Sequence, residues 1–485
     1  MARHILKNTL AAAGGIAAAA SCGVQKEAPQ QRPNIVFILA DDLGWGDLGC
    51  YGQRLFETPN IDSLAAHGLR FTQCYSGTTV SAPSRSCLVT GTHSGHTAIR
   101  GNLELDPEGQ FPLPEGAETI FHDLQAAGYR TGAFGKWGLG FVGSTGDPQA
   151  QGVDTFFGYN CQLLAHSYYP DHLWDNEKRV ELPDNYDDAT YGQGTYSQDL
   201  IHGKALEFLE EAARDGQPFF LWYPTIIPHA ELLVPEDSIL VKYRGRYPET
   251  PYRGTDAGMP GFRRGGYISQ PEPHATFAAM IGRLDVYVGQ LVAKLRELGL
   301  DDNTIIIFAS DNGPHKEGGA DPDFFDSNGP WRGYKRDVYE GGIRVPMIVA
   351  WPGHVAEGTD TDFMCSFWDL MPTLRELTGK GQVDGLDGVS LLPLLEGRPG
   401  QQEHDFLYFE FQELGGRQAV RKGPWKLVHL AVRTDAARYE LYNLDEDPGE
   451  TNDVSARYPE ILAELQRILE EAHIPNPDFP LLPGE

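Results

Sequence analysis

Four apolar runs of strand length in this chain each lead into polar or charged residues. The first, N-I-V-F-I-L-A at residues 34–40, is continuously apolar after its first residue, which is the pattern of a parallel strand buried on both faces. The others begin at Thr131, Phe219 and Thr304, and a helix is predicted before each of them. This alternation predicts an α/β fold with a large, mostly parallel but mixed sheet flanked by helices.

The side chains that follow these strands are expected to lie close together, because ligands of parallel sheets collect beyond the carboxyl ends of the strands. They are Asp41, Asp42, Lys136, His229, Asp311 and Asn312. Either pair taken alone, Asp41-Asp42 or Asp311-Asn312, would be interpreted as turn residues. Together, their carboxylate and amide oxygens suit a hard divalent cation such as Ca²⁺ or Mg²⁺, whereas zinc would call for more histidines.

The stretch S-A-P-S-R at residues 81–85 is predicted to open a helix, because its proline suits a first helical turn. Ser81 would then lie at the helix N-terminus, where free amides and the helix dipole favour an anion. Arg85 would lie one turn further along the same face. A simple helix cap is the alternative reading of Ser81.

Two lysines, Lys136 and Lys335, lie in glycine-rich loops rather than on polar helix faces. With Arg85 they supply more positive charge than a metal-bound acid cluster requires. A tetrahedral oxyanion held between the cation and these side chains would account for both sets. The sequence therefore predicts a site for a sulfate or phosphate ester.

The first residues resemble an export signal, because Arg3 and Lys7 precede an alanine-rich apolar stretch that is too short to span a membrane. The small residues before Cys22 resemble a bacterial lipoprotein cleavage box, and ordinary signal cleavage is the alternative. We expect a signal peptide at 1–21, a tether at 22–32 and an exported protein, periplasmic or on the cell surface, with a lipid anchor at Cys22.

Two further segments are expected after the tether: a catalytic domain at 33–396 and a C-terminal α+β subdomain at 397–485. In the second, short strands separated by turns predict a small antiparallel sheet, followed by one helix. The net charge of −29 argues against a nucleic-acid partner, since no basic run offsets it.

The stretch S-A-P-S-R-S-C-L-V-T-G resembles the signature of the type I sulfatases of the alkaline-phosphatase superfamily. The resemblance extends from Pro33 to nearly the C-terminus, through D-D, G-K-W, P-H-A-E, S-D-N-G, K-R-D-V-Y-E-G-G-I-R-V-P, V-R-K-G-P-W-K-L and Y-E-L-Y-N-L-D-E-D-P-G-E. It implies a sulfuric ester hydrolase with one divalent cation, for which Ca²⁺ is favoured and Mg²⁺ is the alternative. The implied ligands are Asp41, Asp42, Ser81, Asp311 and Asn312.

The resemblance also implies that Ser81 is oxidised to formylglycine (3-oxoalanine) by an anaerobic, radical-type maturation enzyme, before folding and export. The hydrated aldehyde would attack sulfur while the cation and Arg85 hold it, which avoids the weakness of a serine alkoxide as nucleophile. Lys136 and Lys335 would neutralise the sulfate oxygens. His229 would protonate the leaving sugar oxygen.

One position departs from the family pattern: G-K-W-H-L-G is usual, and this chain has Gly138 in place of the histidine. That histidine is thought to assist collapse of the sulfated intermediate. Nearby candidates to fill its space are His93, His96, His166 and His315. His166 and His315 are favoured as substrate or acid/base contributors, with a structural role as the alternative.

The substrate implied by the resemblance is a sulfated carbohydrate, and Arg100 and Asn102 could reach its sugar. The loop G-Y-N-C-Q-L-L-A-H-S-Y-Y-P is similar to loops of bacterial sulfatases associated with galactose or N-acetylgalactosamine sulfates. Two other functions stay open. One is a phosphatase or phosphonate monoester hydrolase of the same superfamily, and the other is a non-catalytic, glycan-binding lipoprotein.

Overall fold

A computed structural model describes residues 32–485. The predicted signal peptide, the Cys22 lipidation site and nearly all of the predicted tether lie outside the described residues and stay predictions. Within residues 32–485, no helix is both long and apolar enough to cross a membrane.

The described residues contain a large sheet of eleven strands, with the order β12-β2-β11-β10-β1-β9-β5-β6-β7-β8 and with β13 paired beside β2. Its strands are β1 (Asn34–Ala40), β2 (Leu69–Tyr75), β5 (Arg130–Lys136), β6 (Thr155–Tyr159), β7 (His172–Asp175), β8 (Lys178–Glu181), β9 (Phe219–Pro224), β10 (Thr304–Ser310), β11 (Arg344–Ala350), β12 (Thr359–Thr361) and β13 (Cys365–Ser366). Between β2 and β5 lies a separate two-stranded ribbon, β3 (Glu104–Leu105) and β4 (Gly109–Gln110).

Five adjacent strands at the centre of this sheet, β10, β1, β9, β5 and β6, are mutually parallel. On one side, β11 runs antiparallel to both β10 and β2, and on the other side β7 and β8 continue as antiparallel strands. The predicted large, mostly parallel but mixed sheet is therefore confirmed. The strand ends expected to meet do so because β1, β5, β9 and β10 point the same way.

Alternate residues of β1 face two different hydrophobic cores, which explains why the whole strand is apolar. Val36 and Ile38 belong to the core formed with the helices α1, α4, α5 and α6, at Pro59–Ala66, Ser197–Asp215, Ser238–Tyr243 and Pro273–Glu297. Ile35 and Phe37 belong to the core formed with α2, α3, α9 and α10, at Ser81–Thr90, Ile120–Ala126, Leu370–Leu377 and Leu392–Leu395. Helices thus cover both faces of the sheet.

The short helices α7 and α8, Pro322–Phe325 and Glu340–Ile343, lie in the segment between β10 and β11. The strand predicted at 34–40, the strands predicted to begin at Thr131, Phe219 and Thr304, and the helix predicted to begin at Ser81 all agree with the structure to within one residue at these ends. Several strands of the large sheet, β2, β6, β7, β8, β12 and β13, are not among the strands predicted from the sequence. The sequence of β2, L-R-F-T-Q-C-Y, mixes polar and apolar residues without strict alternation.

The C-terminal part contains an antiparallel sheet of four strands, β14 (Leu407–Phe411), β15 (Arg417–Lys422), β16 (Trp425–Leu430) and β17 (Arg438–Asn443), followed by α11 (Pro459–Glu471). One face packs on α11 through Leu427 and Leu465. The other face packs on the rest of the protein, where Phe409 and Val428 share a core with Tyr75. The predicted small sheet plus helix is confirmed, whereas a domain boundary at 396/397 stays a prediction, since residues 33–485 form one compact unit.

A buried ion cluster joins the four-stranded sheet to the rest of the protein. The Nζ of Lys426, on β16, lies 2.9 Å from carboxylate oxygens of both Glu340, on α8, and Glu450. All three side chains are fully buried. Burial, together with neighbouring Glu340, raises the pKa of Glu450 to about 7. Lys426 therefore holds two carboxylates that would otherwise repel each other.

Replacing Lys426 by methionine tests this cluster. The variant keeps the length of the side chain but leaves two buried acids without the cation they share, and we expect a loss of about 3–5 kcal/mol in the free energy of unfolding. Denaturant unfolding followed by fluorescence measures this loss. Lys422→Met is the matched control, because Lys422 pairs with Glu464 at the exposed surface, and should cost less than about 1 kcal/mol. Equal losses in the two variants would contradict the assignment.

Candidate active site

Ser81 is the first residue of α2, and its hydroxyl points at charged groups instead of capping the helix. The Oγ donates to Oδ1 of Asp41 at 3.0 Å and accepts from Nζ of Lys136 at 3.2 Å. The residue before it, Val80, is extended, and no side chain caps the helix from that position. Instead the amide of Ala82 donates to Oδ1 of Asn102 at 3.1 Å. The Ser81 hydroxyl is therefore available for another role.

The acidic residues that follow β1 and β10 form one buried cluster. Asp41, Asp42, Asp311 and Asn312 have no exposed surface. The backbone amide of Asp42 donates to Oδ1 of Asp311 at 3.1 Å, and Nδ2 of Asn312 donates to Oδ1 of Asp42 at 2.7 Å. Two neighbouring parallel strands thus bring together residues that are about 270 positions apart.

This cluster has the oxygens that a hard divalent cation needs. Oδ1 of Asn312 is buried and has no hydrogen-bond donor among residues 32–485. A buried amide oxygen without a partner is costly, and a cation would satisfy it. The oxygen donor set fits Ca²⁺ or Mg²⁺ better than zinc.

Three cationic side chains surround the acids. The guanidinium of Arg85 contacts Oδ2 of Asp311 at 2.8 Å, and Nζ of Lys136 contacts Oδ2 of Asp41 at 2.6 Å. Nζ of Lys335 contacts Oδ2 of Asp42 at 2.8 Å.

The charges of this ring set the protonation of its members. Burial alone would raise the pKa of Asp41, but the combined positive charge of Lys136, Arg85 and Lys335 holds that pKa well below its usual value. For Lys335, burial would lower the pKa, but Asp42 and Glu317 hold it above its usual value. Asp41 is therefore ionised and Lys335 protonated at neutral pH, whereas burial raises the pKa of Asp311 to about 6 and lowers the pKa of Lys136.

His229 lies at the centre of three stacked imidazoles. Its ring centroid is 4.7 Å from that of His166 and 5.7 Å from that of His315. The Nδ1 atom bonds to the carbonyl oxygen of Ala230, and Nε2 lies 3.0 Å from Nζ of Lys335. Burial and the neighbouring Lys335 lower the pKa of His229 well below its usual value. The imidazole is thus neutral, with Nδ1 donating and Nε2 accepting from the lysine.

The other predicted histidines divide into two groups. His166, half-buried, and His315, buried, lie against His229 as described, and Nε2 of His315 also contacts the carbonyl oxygen of Pro228 at 3.1 Å. His93 and His96 stack on each other with centroids 4.0 Å apart and contact Asp387.

The two residues predicted to reach a sugar are engaged elsewhere. The Arg100 guanidinium contacts Glu410 at 2.9 Å and the carbonyl oxygen of Ile474 at 2.6 Å, and the residue is only 3% exposed. Asn102 bonds to the first turn of α2. This geometry gives no support to either sugar contact.

Glu317 belongs to the site, although no sequence pattern singles it out. Its Oε2 accepts from Nζ of Lys335 at 3.1 Å and from the Tyr267 hydroxyl at 3.0 Å, and its Oε1 accepts from Arg336. Burial would raise its pKa, but Lys335 and its other cationic neighbours hold it well below the usual value. The only available signal was its position two residues after His315, because a lone glutamate in a polar loop looks like surface.

Glu231, two residues after His229, is a buried acid that keeps its proton. It is 1% exposed, and the Tyr191 hydroxyl donates to its Oε1. Burial raises its pKa from 4.5 to about 8. The folded protein therefore binds a proton that the unfolded chain releases above about pH 4.5, so this group lowers stability progressively as pH rises from about 4.5 to about 8.

The variant Glu231→Gln should remove this pH dependence, because the amide stays neutral in both states. We expect the difference in Tm, variant minus wild type, to increase steadily between pH 5 and pH 8. Thermal unfolding at several pH values measures it, and Glu177→Gln, which changes an exposed side chain in the same way, is the control. A difference that stays constant over this range would show that Glu231 is ionised in the folded protein.

Comparison with protein-family models gives two matches along this chain. Residues 33–380 match the model described as Sulfatase, and residues 329–474 match the model described as N-sulphoglucosamine sulphohydrolase, C-terminal. Human arylsulfatase A is 33% identical over 481 residues, covering 90% of this chain and 87% of that protein. The N-acetylgalactosamine-6-O-sulfatase of Bacteroides thetaiotaomicron is 31% identical over 528 residues, covering 94% and 97%.

A solved structure with the same fold is that of Ps i-CgsB in complex with k-i-k-neocarrahexaose. It is 28% identical in sequence, covers 91% of this chain and 92% of its own, and has a TM-score of 0.73. The family model covers well over half of this chain, and the predicted resemblance to the sulfatases is confirmed. The chain therefore belongs to the sulfatase family, whose members hydrolyse sulfuric esters.

Proposed function

We propose that this sulfatase hydrolyses a sulfate ester of a carbohydrate, using a formylglycine made from Ser81 as the nucleophile. The observation that carries the proposal is the position of the Ser81 Oγ, 3.0 Å from the nearest oxygen of Asp41 and 3.2 Å from Nζ of Lys136. The atom lies at a helix N-terminus, between an acid cluster and a ring of cations. The acid cluster, with its cation, could activate a nucleophile at this position, and the cationic side chains could hold an anionic substrate beside it.

The acid cluster would hold the divalent cation, and the basic ring would hold the sulfate. A bound cation would polarise the sulfate oxygens as a Lewis acid. Lys136 and Lys335 supply fixed ammonium groups for charge that develops on the same oxygens. Arg85, held by Asp311, orients that carboxylate and keeps the helix N-terminus over the cluster.

The proton for the leaving sugar oxygen is assigned to His229. The ring is neutral in this structure, but an anionic sulfate beside it would raise its pKa again. Nζ of Lys335 lies 3.0 Å from Nε2 of His229 and keeps its own proton, because Asp42 and Glu317 hold its pKa above the usual value. Lys335 therefore serves as a fixed positive charge beside the sulfate.

The substrate class follows from the relatives and from one loop. Several relatives are N-acetylgalactosamine-6-sulfatases, including the bacterial one that covers almost the whole chain. The half-buried ring of His166 stacks on His229, and we place the leaving sugar on that side. We propose a galactose or N-acetylgalactosamine sulfate as substrate, with His166 and His315 beside the sugar. Export, with lipidation at Cys22, belongs to the same proposal.

The test is to produce the protein with an anaerobic formylglycine-forming enzyme and to measure sulfate release from a panel of mono-sulfated galactose and N-acetylgalactosamine compounds. Mass spectrometry of the peptide containing Ser81 should find the loss of two hydrogens, and Ser81→Ala should abolish release. An intact serine at position 81 in an active enzyme would contradict the formylglycine proposal. Faster release of phosphate from matched phosphate esters would favour a phosphatase, and glycan binding without turnover would favour a binding protein.

Removal of the cation gives a separate test of the acid cluster. A chelator should abolish sulfate release, and Ca²⁺ should restore it. Ca²⁺ should also raise the Tm of the chelated protein, because it binds only the folded state. In Asn312→Ala we expect about tenfold more Ca²⁺ to be needed for the same rise in Tm, equivalent to about 1.4 kcal/mol of binding energy. An unchanged Ca²⁺ requirement would remove Asn312 from the ligand set.

A further inference from the structure

Gly138, the position at which this chain departs from the usual family pattern, is packed against the side chain of Gln162. Gly138 comes two residues after Lys136 and has a φ of +73°, which most other residues adopt only with strain. A Cβ atom built on Gly138 would lie 2.6 Å from Nε2 of Gln162. The Gln162 amide therefore occupies the space that a side chain at position 138 would enter.

Gln162 is held in this place by the strand that precedes it. Strand β6 pairs in parallel with β5, which ends at Lys136. Beyond the strands the pairing continues, since the amide of Gly138 donates to the carbonyl oxygen of Asn160 at 3.0 Å. The backbone amide of Gln162 donates to Oε1 of Gln110 at 3.3 Å. The backbone at Gln162 is thus positioned by the same strand pair that positions Lys136.

The same loop serves both sides of the site. Four residues after Gln162 comes His166, which stacks on His229. One short segment therefore places an amide beside the lysine loop and an imidazole beside the proposed proton donor.

The Gln162 amide also has an unused donor. The residue is 2% exposed, and its Nε2 has no hydrogen-bond acceptor within the part of the chain that the structure describes. Leaving a buried donor unpaired costs about 1–3 kcal/mol. A bound ligand that brings an oxygen to this point would remove that cost.

We propose that Gln162 contacts the substrate, donating a hydrogen bond from Nε2 to an anionic oxygen of the bound sulfate ester. This inference rests on the proposed function, because the acceptor is the substrate of that site. The carboxamide is a neutral donor and takes no proton. At this point the chain therefore stabilises charge on the sulfate and carries out no acid–base step.

The variant Gln162→Met tests the proposal, because it keeps the volume of the side chain and removes the donor. With formylglycine content matched to wild type, kcat/KM for the best substrate of the panel should fall about 10- to 100-fold, the usual loss of a hydrogen bond to a charged group. Gln162→Glu should lose more, since a carboxylate repels the sulfate.

The matched control is Gln151→Met. Gln151 is equally buried, but its Nε2 already donates to the carbonyl oxygen of Thr145 at 2.7 Å. This variant should lose stability and keep the kcat/KM of the wild type. If Gln162→Met also keeps it, the proposal is wrong, although the proposed function stands. If the matured wild type releases no sulfate from any ester, the proposed function itself fails.

A binding measurement on the unmatured protein covers the case in which the variants lose activity through misfolding. Inorganic sulfate, in the presence of Ca²⁺, should raise the Tm of the wild type and of Gln151→Met. The rise should be clearly smaller in Gln162→Met. Equal protection of all three proteins by sulfate would overturn the contact with Gln162.

Discussion

The structure depends on one constraint: its buried carboxylates are out of reach of solvent, so buried basic side chains must balance their charge. Three carboxylates lie at the ends of β1 and β10 with no exposed surface, and an isolated charge in such a place would cost several kcal/mol. Three basic side chains offset them, and these come from α2, from the end of β5 and from the segment before α8. Each of those elements must therefore be in place for the others to be tolerated. A bound cation would shift the same balance further, freeing the basic groups to face an anion.

The arrangement at the ends of the parallel strands could be predicted from the sequence, because parallel strands place their carboxyl ends at one edge. Asp41, Lys136 and Asp311 were found in this way. The same logic could not find Glu317 or the buried Gln162, since neither follows a strand directly and each is placed by contacts with residues distant in the sequence. It also could not find β2, because the strand is half-buried and its polar and apolar residues do not alternate. Contacts made across long sequence separations, as opposed to local patterns, account for these omissions.

The protonation states of the site residues also could not be predicted without the structure. The sequence presents His229 as a proton donor, but burial and Lys335 keep its ring neutral. A histidine next to a protonated lysine gains a proton only when an anion binds beside it, so its pKa depends on whether the site holds an anion. Two further imidazoles stack on it and exclude water from its faces. An anion bound beside His229 would raise its pKa again, and this dependence could not be predicted from the identity of the residues alone.

The four-stranded sheet at the C-terminus supports the loop that carries Lys335, although the two are distant in the sequence. Arg417, on β15, holds the carbonyl oxygen of Arg336 and the carboxylate of Asp337, the two residues that follow Lys335. Lys426, on the next strand, fixes Glu340 shortly after them. The loop that carries Lys335 is thus supported from behind by a sheet that contributes no side chain to the acid cluster. Evolution of substrate preference in such a chain can act at a distance, by altering that rear support and so moving one ammonium group relative to the sulfate.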